Sequence, residues 1–326
     1  MVLVLSESDL KKVLDIDEVI HALAVAFIEY SRGACQVPVK RRISLSHPDG
    51  VFIFMPALLA QSKIVGHKVV SVFEGNDTLR LPRVIASYLL FDPETGRPLS
   101  LMNGTYITAL RTASVSALAT KHLARNDAST LGIFGTGLQA EYHILTIRRV
   151  RQIKKIYVTG TSSAKSKAFR ELMASRYNIT EIEPVDSLTL CQNSQIIATC
   201  TTSPTPLFSI DQIWPGTHIN AIGSYRREMR EIGVDVIKAS KVFLDSWESI
   251  LAEKGDIILP LEEGALTKDQ ICGELGGLLD GKIEGRRSQD EITLFESSGI
   301  AIADAATASL AYKKAREKGV GQEVDL

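Results

Sequence analysis

Leu131-Gly132-Ile133-Phe134-Gly135-Thr136-Gly137-Leu138-Gln139-Ala140 is the stretch whose residue types and spacing point most directly to chemistry. A buried-strand pattern runs into G-x-G-x-x-A and then into a helix, Glu141 to Val150. In such a turn Gly135 permits the tight reversal and Gly137 lets the backbone approach a pyrophosphate. Ala140 allows close packing of helix on strand, and the anion lies at the helix N-terminus. The same letters also occur in plain structural turns. A strand before them and a helix after them, at the head of an alternating region, is the context that dinucleotide binding requires.

A cofactor without a 2′-phosphate usually meets an Asp or Glu at the end of the next strand, about 20 residues on. Here the chain reads Tyr157-Val158-Thr159-Gly160-Thr161-Ser162-Ser163, with Lys165 close behind. No carboxylate is present to repel a phosphate, and Thr161, Ser162 and Ser163 can donate hydrogen bonds to one. Two readings stand side by side, a phosphate pocket and an ordinary loop whose serines cap the following helix. Two cations stand out for another reason. Lys68 follows an apolar strand start, and Arg111 interrupts a small-residue helix containing Ala109, Leu110, Ala113 and Val115. A buried cation is costly unless paired, so each calls for an anionic ligand, a structural carboxylate, or a side chain that snorkels outward.

These residues need elements to position them. The strand Val2 to Leu5 leads into Ser6-x-x-Asp9 and Asp15-x-x-Glu18, two capping signals; the second opens an amphipathic helix closed by Gly33. From Val37 to Leu101 short β-rich runs (Arg42 to Ser46, Val51 to Met55, Gly66 to Val72, Val84 to Phe91) alternate with turn clusters such as His47 to Gly50. An antiparallel or mixed sheet is expected there, followed by a helix from Tyr106 to Ala124. Beyond it, strands at Thr130 to Phe134, Lys155 to Thr159, Ile196 to Thr199, His218 to Ile222 and Val242 to Leu244 alternate with helical stretches, as in a parallel sheet covered on both faces. An Ala-rich helix, Ser298 to Gly319, closes the chain.

At 326 residues the length suggests two domains, at roughly 150 residues each. Their expected bounds are 1–124 plus 296–326, and 125–295. With 37 Lys plus Arg against 38 Asp plus Glu, no basic excess exists to bind nucleic acid. The longest apolar run, Val51 to Ala60, contains Pro56 and falls well short of the ~20 residues of a membrane span. The N-terminus offers no signal-peptide pattern, so a cytoplasmic location is expected. Cys35, Cys191, Cys200 and Cys272 are far apart, with no His at ligand spacing beside them. They read as reduced, mostly buried thiols, and no metal site is expected.

Six segments in order resemble the ornithine cyclodeaminase and μ-crystallin family. They are Val51 to Ala57, Gly66 to Val70, Thr108 to Thr112, Gly135 to Ala140, His218 to Gly223, and Asp290 to Phe295. The resemblance implies an α/β fold: a Rossmann parallel-sheet domain plus an α+β domain for substrate binding and dimerisation, in a homodimer. It also implies a substrate carboxylate held by Arg42, Lys68 and Arg111, with Lys68 and Arg111 catalytic. Arg42, beside Lys40 and Arg41, reads from its own surroundings as part of a solvated charge run. A nicotinamide cofactor would lie along Thr112, Gly135, Thr136, Gly137, Leu138, Gln139, Thr159, Thr161, Ser162, Asn220, Ile222, Gly223 and Ser298. For Ser298 a helix N-cap role is an equal alternative.

Two departures from the family bear on the reaction. Tyr225 stands where the cyclodeaminases carry an Asp that works on the amino group, and Ile53 stands where they place a Glu for the distal amine. Arg83 also replaces a common Thr. The expected activity is therefore reduction of a cyclic imino acid by NADPH, with NADH possible: Δ1-pyrroline-2-carboxylate to L-proline, and by extension Δ1-piperideine-2-carboxylate. The alternatives are alanine dehydrogenase, ornithine cyclodeaminase, and a crystallin-like binding protein without catalysis.

Overall fold

The computed structural model describes residues 1–46 and 49–325, apart from the side chain of Asp77. The chain divides into two compact units, Met1–Thr112 with Ile300–Leu326, and Ala113–Gly299. The first boundary falls inside the helix Gly104–Leu123, earlier than the expected 124/125. Its second half is bound into the second unit, where Thr146 Oγ1 donates to the Ala113 carbonyl at 2.9 Å and Arg151 donates to the carbonyls of Thr120, Lys121 and Ala124. A guanidinium there satisfies orphan carbonyls and complements the negative end of the helix.

In the first unit the β-rich region forms one mixed sheet, ordered Gln322–Val324, Val2–Leu5, Pro98–Asn103, Val84–Phe91, Ile64–Val72, Asp49–Leu59, Cys35–Gln36, with Arg41–Ser46 also on Asp49–Leu59. Among the described strands of this sheet only Val2–Leu5 and Pro98–Asn103 pair in parallel. The run expected at Val51 to Met55 extends over Asp49–Leu59, through Pro56. Proline is tolerated because its strand has one ladder neighbour at that point: pairing on the other side stops at Arg41 opposite Phe54 and resumes at Gln36 opposite Leu58. His47 and Pro48 of the expected turn lie outside the described residues.

Alternation along these strands separates two faces. Ile53, Met55, Ala57 and Leu59 are buried, and Phe52, Phe54 and Leu58 are half-exposed. Met55, Lys68, Tyr88 and Met102 stand opposite one another across four strands and so share the buried face. The helix Ala301–Lys318 packs on the strands at 49–59, 64–72 and 84–91 and on the helix Ile16–Ser31. Its buried alanines, among them Ala301, Ala305, Ala308 and Ala311, let the backbone come close. It starts three residues later than expected because Gly299 takes a left-handed φ of +80° that an α-helix cannot include.

The second unit holds an all-parallel sheet ordered Ile182–Pro184, Lys155–Thr159, Thr130–Phe134, Ile196–Thr199, His218–Ala221, Ile292–Glu296, Ser240–Leu244, Ile271–Glu274. The chain order reverses between Thr130–Phe134 and Ile196–Thr199, which makes this a doubly wound, Rossmann-type sheet with its ligand crevice at the carboxyl ends of those strands. Of the four thiols Cys191 is buried, while Cys35, Cys200 and Cys272 are half-buried, so the expectation of mostly buried thiols is corrected. Among the described residues no group of His, Cys, Asp or Glu is arranged to hold a metal, and no helix is long and apolar enough to cross a membrane.

Candidate active site

At the head of the crevice, Gly135 has φ +112°, and a Cβ there would lie 2.5 Å from the Cys200 carbonyl oxygen. Its N–H donates to Thr159 at 2.8 Å, fastening the turn to the neighbouring strand. Gly137 differs. It is the N-cap of the helix Leu138–Val150 with no side-chain cap, it is exposed, and a Cβ on it would meet nothing within 4 Å. Open space therefore faces the free N–H groups of the first turn, flanked by half-buried Thr136 and Gln139 and by exposed Leu138. This cradle fits a dinucleotide pyrophosphate.

At the end of Lys155–Thr159, Thr159 is half-buried, and Thr161, Ser162, Ser163 and Lys165 are all exposed. Ser162 accepts from the Lys165 N–H as the N-cap of Ser163–Tyr177, and Ser166 Oγ accepts from the Gly160 N–H at 2.9 Å. Capping uses an acceptor site of Ser162 and leaves its O–H able to donate.

On the other half of the sheet, Ile222 and Gly223 are half-buried at the end of His218–Ala221. Asn220 has no exposed surface, and its amide donates to Thr120 Oγ1 at 3.0 Å inside the unit. The N-cap alternative for Ser298 fails, since the cap residue of Ala301–Lys318 is Ile300. Asp245 instead holds Ser298 by its N–H at 2.9 Å and its hydroxyl at 3.3 Å, and Gly299 by its N–H at 2.7 Å.

Sequence reasoning missed a buried charge network beneath these loops. Glu231 accepts from Thr199 Oγ1, Thr201 N, Thr201 Oγ1 and Gly223 N at 2.6–2.8 Å, tying two strand ends together. Lys254 Nζ lies 3.3 Å from Glu296 and 3.6 Å from Asp256, and donates to the Ala221 carbonyl at 3.0 Å. Burial pushes the Glu296 carboxyl well up toward its neutral form, while the surrounding carboxylates hold Lys254 charged against its own burial.

The first unit carries the expected cations. Lys68 and Arg111 are 1% and 5% exposed, and both meet one carboxylate: Asp304 Oδ1 lies 2.8 Å from Lys68 Nζ and 3.0 Å from Arg111 Nε. Burial, and then the nearby Arg111, push the Lys68 ammonium down to about 7 against the pull of Asp304. Asp304 is itself fully buried, yet the two cations keep its carboxyl below the ordinary range. Thr112, one residue on, is buried and donates to the Thr108 carbonyl at 2.7 Å. Arg42 lies opposite Ile53 and thus on the Lys68 face, but is exposed. Arg83 is exposed at the end of its turn, where its carbonyl accepts from the Phe73 N–H. Asp304 was absent from the sequence-derived site, although one acid amid the alanines of the last helix was a legible sign.

The sequence pattern of the ornithine cyclodeaminase/mu-crystallin family matches residues 2–319. The chain belongs to this family. A Delta(1)-pyrroline-2-carboxylate reductase of Bacillus cereus is 34% identical over 99% of this chain and 100% of its own. The Thermococcus litoralis Delta(1)-pyrroline-2-carboxylate reductase, solved in complex with NADH and L-proline, superposes with a TM-score of 0.95 at 41% identity, covering 99% of this chain and 100% of its own. An archaeal alanine dehydrogenase dimer with bound NAD gives 0.93 at 31% identity, covering 100% and 99%. These relatives are oxidoreductases of carbon–nitrogen bonds, and the chain is an enzyme of that type.

Within the family frame, the two departures have structural counterparts. Ile53 is buried at 7% exposure with no charge to offer a distal amine. Tyr225 is half-buried, with the Arg226 guanidinium 5.3 Å from its ring centre, an arrangement that supplies no carboxylate base.

Proposed function

We propose that the protein reduces the C=N bond of a cyclic imino acid, Δ1-pyrroline-2-carboxylate to L-proline, and accepts the six-membered Δ1-piperideine-2-carboxylate as well. The observation that carries this reading is the charge balance at Asp304. One buried carboxylate serves two buried cations, so with Lys68 protonated the cluster has a net charge of +1 and one further anion completes it. A substrate carboxylate is such an anion, with Lys68, Arg111 and the exposed Arg42 as its ligands. Fixing the carboxylate orients the imine carbon before the barrier is reached. A reduced nicotinamide, when bound, supplies the hydride to that carbon. Lys68 supplies the proton that the ring nitrogen needs, and an ammonium pushed down to about 7 is well matched to that task at neutral pH. Ornithine cyclisation would need a base at residue 225 and an anion at residue 53, and neither is present.

The cofactor preference proposed is NADPH over NADH. Its support is the acid-free end of Lys155–Thr159 and the exposed hydroxyls of Thr161 and Ser162 beside Lys165. Pyrophosphate contacts fall to Gly135, Thr136, Gly137, Leu138 and Gln139, and the nicotinamide half to Ile222, Gly223 and Ser298. A homodimer in the cytoplasm completes the proposal. Its support is the uncovered apolar face of the mixed sheet, where Ile43, Ile85 and Leu101 are 55%, 40% and 37% exposed beside half-exposed Phe52 and Phe54. The deciding assay follows oxidation of NADPH and of NADH with five- and six-membered cyclic imino acids, and with pyruvate plus ammonia. Turnover of pyruvate and ammonia alone would make the protein an alanine dehydrogenase.

A further inference from the structure

We propose that Asp304 is a positioning residue for proton transfer, holding Lys68 in place and charged from beneath so that Lys68 is the proton donor and Arg111 the fixed carboxylate ligand. This role rests on the imine-reductase reading and adds to it a residue that no sequence feature had assigned. Asp304 has no exposed surface, and one of its oxygens already holds both Lys68 and Arg111, so its role runs through these two partners.

The geometry sets out the division of labour. A single oxygen, Oδ1, receives both cations, while Oδ2 is buried without a hydrogen-bond partner. The charged and titratable groups facing Lys68 come from every element around it. Arg111 comes from Gly104–Leu123, Asp304 from Ala301–Lys318, Tyr88 from the strand opposite, Lys40 from the segment before Arg41–Ser46, and Arg42 from that strand on the same face. Of these only Asp304 is an anion at neutral pH, since burial and the Asp304 charge keep the Tyr88 hydroxyl protonated. Without Asp304, Lys68 would sit buried among like charges and shed its proton before any substrate arrived. Arg111 cannot do so, because a guanidinium stays protonated.

The step balances. As hydride reaches the imine carbon, the C=N π pair moves to nitrogen, and a proton leaves Lys68 Nζ to form the N–H bond. A neutral lysine remains beside the Arg111–Asp304 pair, and burial favours that neutral form. Solvent returns the proton after the product leaves.

The test reads Lys68 directly. In purified full-length protein with 13C,15N-labelled lysine, the Lys68 side-chain signal is assigned by its loss in K68R and titrated by NMR. The wild-type midpoint is expected at about 7. In D304N it moves down by about 1 to 3 pH units, as expected when an opposite charge in contact is removed. The alkaline fall of kcat for imine reduction moves down with it, and D304E restores both. An unchanged midpoint in folded D304N overturns the proposal. If D304N does not fold, R111Q gives the opposite reading: the repelling charge is gone, so the Lys68 midpoint must rise, and a fall or no change overturns the proposal. A wild-type protein inert toward every cyclic imine would sink the functional reading separately, because the NMR midpoints do not depend on turnover.

Discussion

The Tyr88 hydroxyl occupies the space that a side chain at residue 66 would fill, so Gly66 and Tyr88 pack as a matched pair on the buried face of the mixed sheet. Tyr88 is 1% exposed and stands directly across from Lys68, which makes the glycine two residues before Lys68 part of the support of the site. Gly66→Ala should therefore destabilise the protein by about 1–3 kcal/mol through overpacking. It should also lower turnover by displacing Tyr88 against its strand neighbour. Urea denaturation and kcat, compared with Gly75→Ala where a Cβ meets nothing within 4 Å, check both effects.

Gly135 and Gly137 separate a structural from a functional glycine within one motif. Gly137→Val should fold normally, because its φ of −98° suits any residue and the space around it is open, yet it should lose cofactor binding. Gly135→Ala should lose about 2 kcal/mol or more of stability, because its positive φ and the Cys200 carbonyl both oppose a Cβ. Circular dichroism melts and cofactor titration by fluorescence distinguish the two. Unchanged cofactor affinity in folded Gly137→Val would remove the pyrophosphate assignment.

Ser162 offers a test of cofactor choice that leaves the fold alone, since Asp caps helices as well as Ser does. Ser162→Asp should lower kcat/KM with NADPH by about 10- to 100-fold, the worth of one charge-assisted hydrogen bond at ~1.5–3 kcal/mol. With NADH it should change little. Equal effects on both cofactors would place the 2′-phosphate elsewhere.

His143 and His218 should make the second unit acid-sensitive. Both are fully buried, His143 between the Gln139 carbonyl and Ser116 and His218 against Thr293, and burial pushes them down to about 4 and about 3. A buried base with a lowered value contributes its full stability above its unfolded value of about 6.5 and loses it as pH falls toward the folded value. The free energy of unfolding should thus decline by about 1–3 kcal/mol between pH 6.5 and 5.5, before most carboxylates titrate. A flat profile there would mean that these imidazoles take up protons in the folded state as readily as in the unfolded chain.

How far the sequence foretold the molecule depended on whether a signal was local. The strands Val2–Leu5, Val84–Phe91, Thr130–Phe134, Lys155–Thr159 and Ile196–Thr199 fall on the expected bounds, because β-branched runs between turn residues mark both ends. Pro98–Asn103, Ile182–Pro184 and Ile271–Glu274 escaped notice: two carry a proline at one end, and the third includes Gly273 at φ +140°. Lys68 and Arg111 were legible as cations in costly places. Their partner showed only as an acid amid alanines, and no local signal joined it to them, since Asp304 lies 236 and 193 residues away in the chain. The Glu231, Lys254, Asp256 and Glu296 network was hidden for the same reason: each looks like an ordinary charged residue until four strand ends and loops bring them together.

The central claim is that this site reduces a cyclic imine through Lys68 and does not deaminate ornithine. The most direct measurement pairs NADPH oxidation by Δ1-pyrroline-2-carboxylate, in wild type and Lys68→Ala, with ammonia release from L-ornithine and catalytic NAD. Steady imine reduction by the wild type, its loss by about 100-fold or more in folded Lys68→Ala, and no ammonia from ornithine are the predicted results. Robust ammonia release without imine turnover, or full imine turnover in Lys68→Ala, would contradict the account.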